Sequence, residues 1–252
     1  KKKSYILKTR KLITGTPISS INNSQNKLNG ELYLGGQDHF YLEGQIALTI
    51  PKEDNNFLIY SSTQHPSETQ QIIAKVLNQN FNTIDVHVRR IGGGFGGKET
   101  QSFLFAAISS LLAKKLNKPI KLRLDRDEDM ILTGKRHDFY FKYEVGFNNK
   151  GKINGIDVIL ASRCGYSADL SEAVNNRAIY NSDNAYYIPN IKLVSYRCKT
   201  NTVSNTAFRG FGAPQGSFCI ENIVDNIANF LNTDAQKIRN INLYKKNNIT
   251  HF

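Results

Sequence analysis

The sequence predicts an α+β fold in which mixed sheets pack against helices on one side. Apolar and polar residues alternate over Gln45–Ile50 and Phe57–Ser61, which indicates half-buried strands. Glu68–Leu77 and Phe103–Leu116 show helical spacing, and in the second of these the apolar residues fall at 104, 107, 108, 111 and 112. A polar turn at 148–151 joins two further strand-like runs into a predicted hairpin. The 252 residues suffice for one large domain or two small ones.

In chain order, residues 1–28 are predicted to form an N-terminal connector, because Thr16–Leu28 is rich in Asn and Ser and only Ser4–Leu12 is strand-like. Residues 29–252 are predicted to form the folded domain, as one lobe or as two lobes that meet near residue 150. Asp125–Asp129 is predicted to be an acid-rich turn. The remaining predicted elements are strands at 31–34, 84–90, 120–124, 139–145, 153–162 and 191–199, a short helix within 165–176, and helices at 217–230 and 233–243.

Composition restricts the class of protein. The chain has 33 Lys and Arg against 21 Asp and Glu, a formal net charge of +12, but shows no one-sided basic stripe and no nucleic-acid motif. We therefore expect a lysine-rich solvated surface and no nucleic-acid partner. Cys164, Cys198 and Cys219 are widely spaced and odd in number, which favours buried thiols in a cytoplasmic protein over disulfides, zinc or an iron–sulfur cluster. No apolar run reaches the roughly 18 residues that a membrane span needs.

The stretch Ile91–Thr100, with the sequence IGGGFGGKET, lies between a predicted strand and a predicted helix. Such a loop directs unpaired N–H groups at an anionic ligand. It matches the phosphate-binding P-loop except that Glu99 stands where Ser or Thr should bind magnesium. It also matches the dinucleotide fingerprint, although the following acid, Asp125, comes late. A pterin or other large cofactor, a non-catalytic anion or nucleic-acid binder, and a tight turn without a ligand are the other interpretations.

A second polar stretch begins at Gln37. This residue follows two glycines, so its amide can project into a ligand site and both donate and accept hydrogen bonds. His39 and Glu43 resemble a metal pair, but two ligands without a third nearby do not predict a metal site. We interpret His39 as a buried or hydrogen-bonded core histidine.

Together, three stretches resemble the molybdenum-binding large subunit of the xanthine dehydrogenase and aldehyde oxidase family. They are GGQDHFYLE at 35–43, GGGFGGKE at 92–99 and TAFRGFGAPQG at 206–216. Asp125–Met130 and Thr133–His137 match the same family. The resemblance runs from about residue 29 to the end. It implies the fold of a molybdenum cofactor-binding domain of this type over 29–252, with the rest of the subunit missing.

The resemblance also implies roles for individual residues. It places Gln37 and Phe95 near molybdenum without making them direct ligands. The residues implied to bind molybdopterin are Gln37, Gly94, Phe95, Gly96 and Arg209. The residues implied to line a purine pocket are Glu99, Arg177 and Phe211. The charged pair of Glu99 and Arg177 favours a purine substrate over the aldehydes of related enzymes.

The activity that the resemblance implies is oxidative hydroxylation of hypoxanthine and xanthine to urate. In the family a molybdenum hydroxide attacks the purine and hydride moves to a sulfido ligand. Electrons then leave through iron–sulfur clusters and FAD, which we expect on partner subunits or domains. Further expected partners are the remainder of the large subunit and a second copy of the assembled enzyme. The general base is a glutamate expected downstream of Phe252, so no catalytic residue is predicted within the chain and we expect it to be inactive alone.

Overall fold

The computed structural model describes residues 4–245; residues 1–3 of the predicted connector and 246–252 of the predicted domain lie outside them. The strands are β1 Arg10–Thr14, β2 Asn26–Leu34, β3 Ile46–Pro51, β4 Phe57–Ser61, β5 Ile84–His87, β6 Ile120–Arg123, β7 Phe139–Phe147, β8 Ile153–Gly165 and β9 Ile191–Lys199. The helices are α1 Pro17–Asn22, α2 Pro66–Leu77, α3 Ser102–Leu116, α4 Arg126–Leu132, α5 Ser171–Tyr180, α6 Ala213–Phe230 and α7 Ala235–Asn242.

The chain forms two compact units. The first unit comprises Lys1–Gly36, His137–Thr202 and Gly210–Phe252, and the second comprises Gln37–Arg136 and Val203–Arg209. The sequence prediction placed a meeting of two lobes near residue 150, whereas residue 150 lies in the turn between β7 and β8, inside the first unit.

The first unit is built on a five-stranded sheet in the order β1-β9-β8-β7-β2. All neighbouring strands are antiparallel except β8 and β9, which are parallel. Helix α6 buries Ile220, Ile223, Val224 and Ile227, an i, i+3, i+4, i+7 stripe, in the core that also contains the alternate residues of β7. The short helix α1 lies against the other face, where Gly146 and Gly155 leave room for it.

The second unit contains a four-stranded sheet in the order β5-β4-β3-β6. Strand β3 is antiparallel to both of its neighbours, whereas β4 and β5 are parallel and are joined through α2. The core of this unit includes Ile59, Ile73, Ile84 and Ala106, from β4, α2, β5 and α3. The turn after β5 leads into the glycine-rich stretch, so the sheet and α3 together fix where that stretch begins and ends.

The predicted α+β class with mixed sheets and packed helices is confirmed. Three details were wrong. The segment 16–28 contains α1 and the start of β2, because Pro17 is favourable in a first helical turn and β2 pairs with β7 along its whole length. The acid-rich segment 125–129 begins α4, since Asp125 and Glu128 form a reciprocal capping box. Helices also occupy both faces of the first unit's sheet rather than one.

The three cysteines are free, with Cys164 and Cys219 buried and Cys198 partly exposed. Among the helices of residues 4–245, none combines the length and the apolar character that spanning a membrane would need.

Candidate functional site

The glycine loop, Gly92–Gly97, lies in the second unit between β5 and α3. Phe95 adopts φ of +54° and Gly96 φ of +98°, so the chain makes a left-handed turn at the aromatic residue. The N–H of Gly97 donates to the carbonyl oxygen of Gly94 at 2.8 Å, which closes the turn. The side chain of Phe95 is 47% exposed, an unusual position for a large apolar ring.

The loop needs its glycines because other parts of the second unit pack against them. A Cβ atom on any of four loop glycines would collide with a neighbour. The pairs are Gly92 with Glu43, Gly94 with Gln64, Gly96 with Ala207, and Gly97 with His39. The missing side chains of these glycines therefore mainly let the loop lie against its own protein.

Gln64, which the sequence interpretation missed, supports the loop directly. Its side-chain Oε1 accepts hydrogen bonds from the backbone N–H of Gly96 at 2.9 Å and of Lys98 at 3.2 Å. The side chain is exposed, and its NH₂ group has no hydrogen-bond acceptor within residues 4–245. A glutamine in a polar loop directly before a helix was the available signal.

Gln37 is held in a similar way by a different donor. The Nε of Arg136 donates to Oε1 of Gln37 at 2.6 Å, and the backbone N–H of Arg136 donates to the carbonyl oxygen of Gln37 at 2.9 Å. The amide NH₂ of Gln37 therefore stays available, and nothing in the described part of the chain accepts from it. Gln37 and Gln64 thus each use the carbonyl end of the amide within the protein and leave the donor end for another group.

Arg136 also links Gln37 to two other predicted cofactor residues, Arg209 and, through it, Phe95. Its Nη2 donates to the carbonyl oxygen of Arg209 at 2.9 Å, and the backbone N–H of Arg209 donates to the carbonyl oxygen of Phe95 at 2.9 Å. Gln37, Phe95 and Arg209 therefore belong to one hydrogen-bonded group within the second unit. The sequence interpretation assigned Arg136 no role at the cofactor site, although Thr133–His137 was part of the resemblance.

Ring contacts also hold the side chains of Arg136 and His39 in place. The guanidinium of Arg136 lies 3.9 Å from the ring centre of Phe208, which in turn lies 4.7 Å from the ring of His39. His39 is buried, and its Nε2 lies 2.6 Å from the carbonyl oxygen of Ala207. Burial lowers the pKa of His39, so the neutral ring donates this hydrogen bond. The prediction of a hydrogen-bonded core histidine is confirmed.

Lys98 contradicts the P-loop interpretation. Its side chain is fully buried, and Nζ donates to the carbonyl oxygen of Glu43 at 2.7 Å and to Oγ of Ser62 at 2.8 Å. Burial lowers the pKa of Lys98, while the Glu43 carboxylate 3.7 Å away opposes that change. An ammonium group with these partners is not presented to a phosphate. Asp125, the acid of the dinucleotide interpretation, serves as the N-cap of α4.

The predicted substrate residues are divided between the units. Glu99 lies in the second unit, in the turn before α3, and its backbone N–H donates to the carbonyl oxygen of Gly96 at 3.4 Å. Arg177 lies on the exposed side of α5 in the first unit, where its Nε donates to Oδ1 of Asn181 at 2.9 Å. Phe211, also in the first unit, adopts φ of +51° directly before α6, which repeats the left-handed turn seen at Phe95.

The charges of the site favour an anionic ligand rich in oxygen. Arg136 is 7% exposed and its Nη1 is buried without a hydrogen-bond partner, while Arg209 is exposed and forms no ion pair with any described residue. With the two glutamine NH₂ groups, the site offers donors without matching acceptors. Residues 4–245 contain no cluster of three or more His, Cys, Asp or Glu suited to a metal ion. A metal ion bound at this site would therefore have to be coordinated by a cofactor and not by a cluster of these side chains.

The comparisons with known proteins show the family of the chain. The family model for the molybdopterin cofactor-binding domain matches residues 2–243. The chain belongs to this family. It is 43% identical to the xanthine dehydrogenase of Emericella nidulans over 99% of this chain and 45% identical to the xanthine dehydrogenase/oxidase of Mus musculus over 96% of it. In each case the match covers 18% of the relative, so the chain spans less than a fifth of their length.

The fold agrees with that of a solved structure. The aldehyde oxidoreductase from Desulfovibrio gigas superposes with a TM-score of 0.89 at 23% identity, covering 98% of this chain and 27% of that one. The resemblance inferred from the motifs is thus confirmed and extends to almost the whole chain. For a molybdopterin cofactor-binding domain, the donors of Gln37, Gln64 and Arg209 fit the group, because molybdopterin carries a phosphate and further acceptor atoms. The family match and the buried Lys98 replace the P-loop and dinucleotide interpretations.

Proposed function

We propose that this chain is the molybdopterin-binding part of a cytoplasmic xanthine dehydrogenase that oxidises hypoxanthine and xanthine to urate. The observation that carries the proposal is the identity of 40–45% to xanthine dehydrogenases over at least nine-tenths of the chain. Because the chain covers 18% of the Emericella nidulans relative, the activity belongs to the whole protein and not to these residues by themselves.

The residues proposed to hold the cofactor are the amide NH₂ groups of Gln37 and Gln64, the backbone of Gly94–Gly96 and the guanidinium of Arg209. When bound, molybdopterin supplies the metal and the redox chemistry, and the protein supplies position and electrostatics. Donors fixed before the ligand arrives cost little reorganisation on binding. The hydrogen bonds to Oε1 of each glutamine fix those donors in advance. Phe95, next to this group, is proposed to lie near the metal without ligating it.

The residues proposed to bind the purine are Glu99, Arg177 and Phe211. A purine has polar edges and a flat aromatic face, so a carboxylate can accept from ring N–H groups and a phenyl ring can stack on the face. An arginine can stabilise a carbonyl oxygen that gains negative charge. The exposed position of Arg177 on α5 is compatible with contact to a ligand.

The assembled enzyme is proposed to contain further parts. These are the remainder of the large subunit with its general-base glutamate, iron–sulfur and FAD domains or subunits, and a second copy that forms a dimer. The lengths of the relatives support this composition, since the match to the Mus musculus xanthine dehydrogenase/oxidase covers only 18% of it.

The first test is the cofactor content of the purified protein that contains this chain. We expect molybdenum, measured by mass spectrometry, together with pterin, measured by fluorescence after oxidative release, and urate formation from xanthine. A protein that contains neither molybdenum nor pterin when produced in a host that makes the cofactor would contradict the proposal.

The second test separates purine binding from a purely structural role. We expect Glu99→Ala and Arg177→Met to lower kcat/KM for xanthine by roughly 10–100-fold each, since a charge-assisted hydrogen bond contributes about 1.5–3 kcal/mol. An aromatic aldehyde without ring nitrogens has no ring N–H for Glu99 and no carbonyl oxygen other than the one at the reacting carbon, so its oxidation should be affected much less. Glu68→Ala is the control, because Glu68 is a carboxylate at the start of α2, much as Glu99 is a carboxylate shortly before the start of α3. Equal losses on both substrates would overturn the purine assignment.

A further inference from the structure

Arg136 is a buried cation without a carboxylate partner. Its side chain is 7% exposed, and no Asp or Glu in residues 4–245 forms an ion pair with it. A buried charge is costly unless hydrogen bonds or a ligand compensate it. Nη1 remains without a hydrogen-bond partner, so the residue is kept in a costly arrangement. Such an arrangement needs a reason beyond packing.

The contacts of Arg136 supply that reason. One guanidinium donates from Nε to Oε1 of Gln37 at 2.6 Å and from Nη2 to the carbonyl oxygen of Arg209 at 2.9 Å. These two acceptors belong to separate stretches, and the Arg209 N–H in turn donates to the carbonyl oxygen of Phe95. The guanidinium is planar and its N–H groups point in fixed directions. The hydrogen bond to Gln37 and the hydrogen bond to Arg209 therefore constrain each other's geometry. Stacking on Phe208 at 3.9 Å restricts the plane of that fork.

We infer that Arg136 is a positioning residue of the cofactor site: its guanidinium fork holds the Gln37 amide in one orientation and ties it to the Arg209 backbone, whose own N–H donates to the glycine loop. The inference rests on the proposed cofactor-binding function. If the Gln37 amide rotated by half a turn, its NH₂ group would face the Nε donor of Arg136, and two donors would oppose each other. Arg136 thereby makes Gln37 a donor toward an acceptor on the bound cofactor.

Lysine cannot perform this role although it carries the same charge, because a single ammonium nitrogen cannot reproduce two bonds in a planar fork. Arg136→Lys therefore separates positioning from charge. Arg126→Lys is the matched control. Arg126 also donates to backbone carbonyls, those of Tyr41 at 2.7 Å and Leu42 at 3.0 Å, and also lies over an aromatic ring, but it does not contact Gln37, Phe95 or Arg209.

The experiment uses the whole enzyme that contains this chain and measures the first-order rate of pterin loss on dilution, together with kcat per bound molybdenum. We expect Arg136→Lys to accelerate pterin loss about tenfold and to lower kcat, and Gln37→Ala to do the same. Because Arg136 acts through Gln37, the double variant should lose pterin no faster than about twice the rate of either single variant. Such non-additivity is the signature of residues that share one interaction.

Three results would overturn the inference. They are wild-type pterin retention in Arg136→Lys, equal acceleration in Arg126→Lys, and a double variant whose acceleration equals the product of the two single effects. A wild-type protein without pterin would instead contradict the proposed function. In that case hydrogen–deuterium exchange still tests Arg136, since the Arg209 amide should exchange faster in cofactor-free Arg136→Lys than in cofactor-free wild type, and equal rates would overturn the inference.

Discussion

Replacing Lys98 by Met tests whether this lysine supports the loop or binds a ligand. Met keeps a similar length of side chain but removes the ammonium group that donates to the Glu43 carbonyl and to Ser62. Hydrogen bonds from a charged donor contribute about 1.5–3 kcal/mol each. Part of the loss is offset, because a fully buried ammonium group no longer has to be desolvated. We expect Lys98→Met to lower the free energy of unfolding by about 2–4 kcal/mol.

Thermal unfolding of the 252-residue chain, followed by circular dichroism, measures this effect. For a domain of this size about 1 kcal/mol corresponds to roughly 2–4 °C, so Tm should fall by about 4–16 °C. Lys114→Met is the control: Lys114 also donates to a backbone carbonyl, that of Leu77 at 2.7 Å, but is exposed. Its effect should be about 1 kcal/mol or less. If Lys98→Met unfolded within 2 °C (roughly 1 kcal/mol) of wild type, the structural role assigned to Lys98 would be refuted.

Three further predictions concern the same unit. Gln37→Ala should lower the turnover rate of the intact enzyme per bound molybdenum without a fall in Tm; a large fall in Tm with normal activity would show that Gln37 is structural. Gly96→Ala should lower the free energy of unfolding by about 2–3 kcal/mol, because the residue has φ of +98° and its Cβ would lie 2.8 Å from the Ala207 carbonyl group; Gly35→Ala, with open space around it, should be neutral in the same urea titration. For Asp38, partial burial is the largest influence and raises the pKa, but hydrogen bonds from Lys135 and from the Phe40 N–H outweigh it and hold the pKa below 3.8. The native state then binds fewer protons than the unfolded state, so this stabilisation is present above about pH 4 and is lost as the pH falls through the folded pKa. Asp38→Asn should therefore show a smaller loss of stability between pH 5 and pH 2 in urea titrations, and an unchanged acid dependence would contradict this assignment.

The elements that were predictable from sequence are those with a strong local signal. Strand β9 was predicted over its observed range, and α2 and α3 were predicted within two residues of their starts. The spacing of apolar residues and the flanking glycine, proline or asparagine are local features that the sequence shows directly. Strand β2 was predicted only over its last four residues. Its first half contains polar residues whose strand conformation depends on pairing with β7, which sequence reasoning could not see.

Site residues were predictable where they belong to a recognisable motif. Residues that only support another residue of the site were not predictable. Phe95 and Arg209 were identified from motifs and are joined by a backbone hydrogen bond at 2.9 Å. Gln64 and Arg136 were missed, since their importance comes from which N–H groups and carbonyls they meet across more than 30 positions of sequence. Such partners are defined by the fold, and no local pattern distinguishes them from ordinary surface glutamine and arginine.

Helix α3 shows that a correct helix prediction does not by itself identify the buried face. The apolar residues that gave its helical spacing lie at 104, 107, 108, 111 and 112, yet Leu104 is 56% and Leu111 47% exposed. The buried residues include Ser109 and Ser110 beside Phe103, Phe105, Ala106 and Ala113. Both hydroxyls lie within 3.0 Å of Oγ1 of Thr49 on β3, and both donate to the Ala106 carbonyl. Because every one of these hydroxyls has a partner, their burial costs little. Small serines also let α3 lie close to β3, which a leucine face could not do. The spacing of apolar residues therefore shows that the helix has one more apolar and one more polar face. Which face is buried depends on the hydrogen-bonding partners that the neighbouring strand offers.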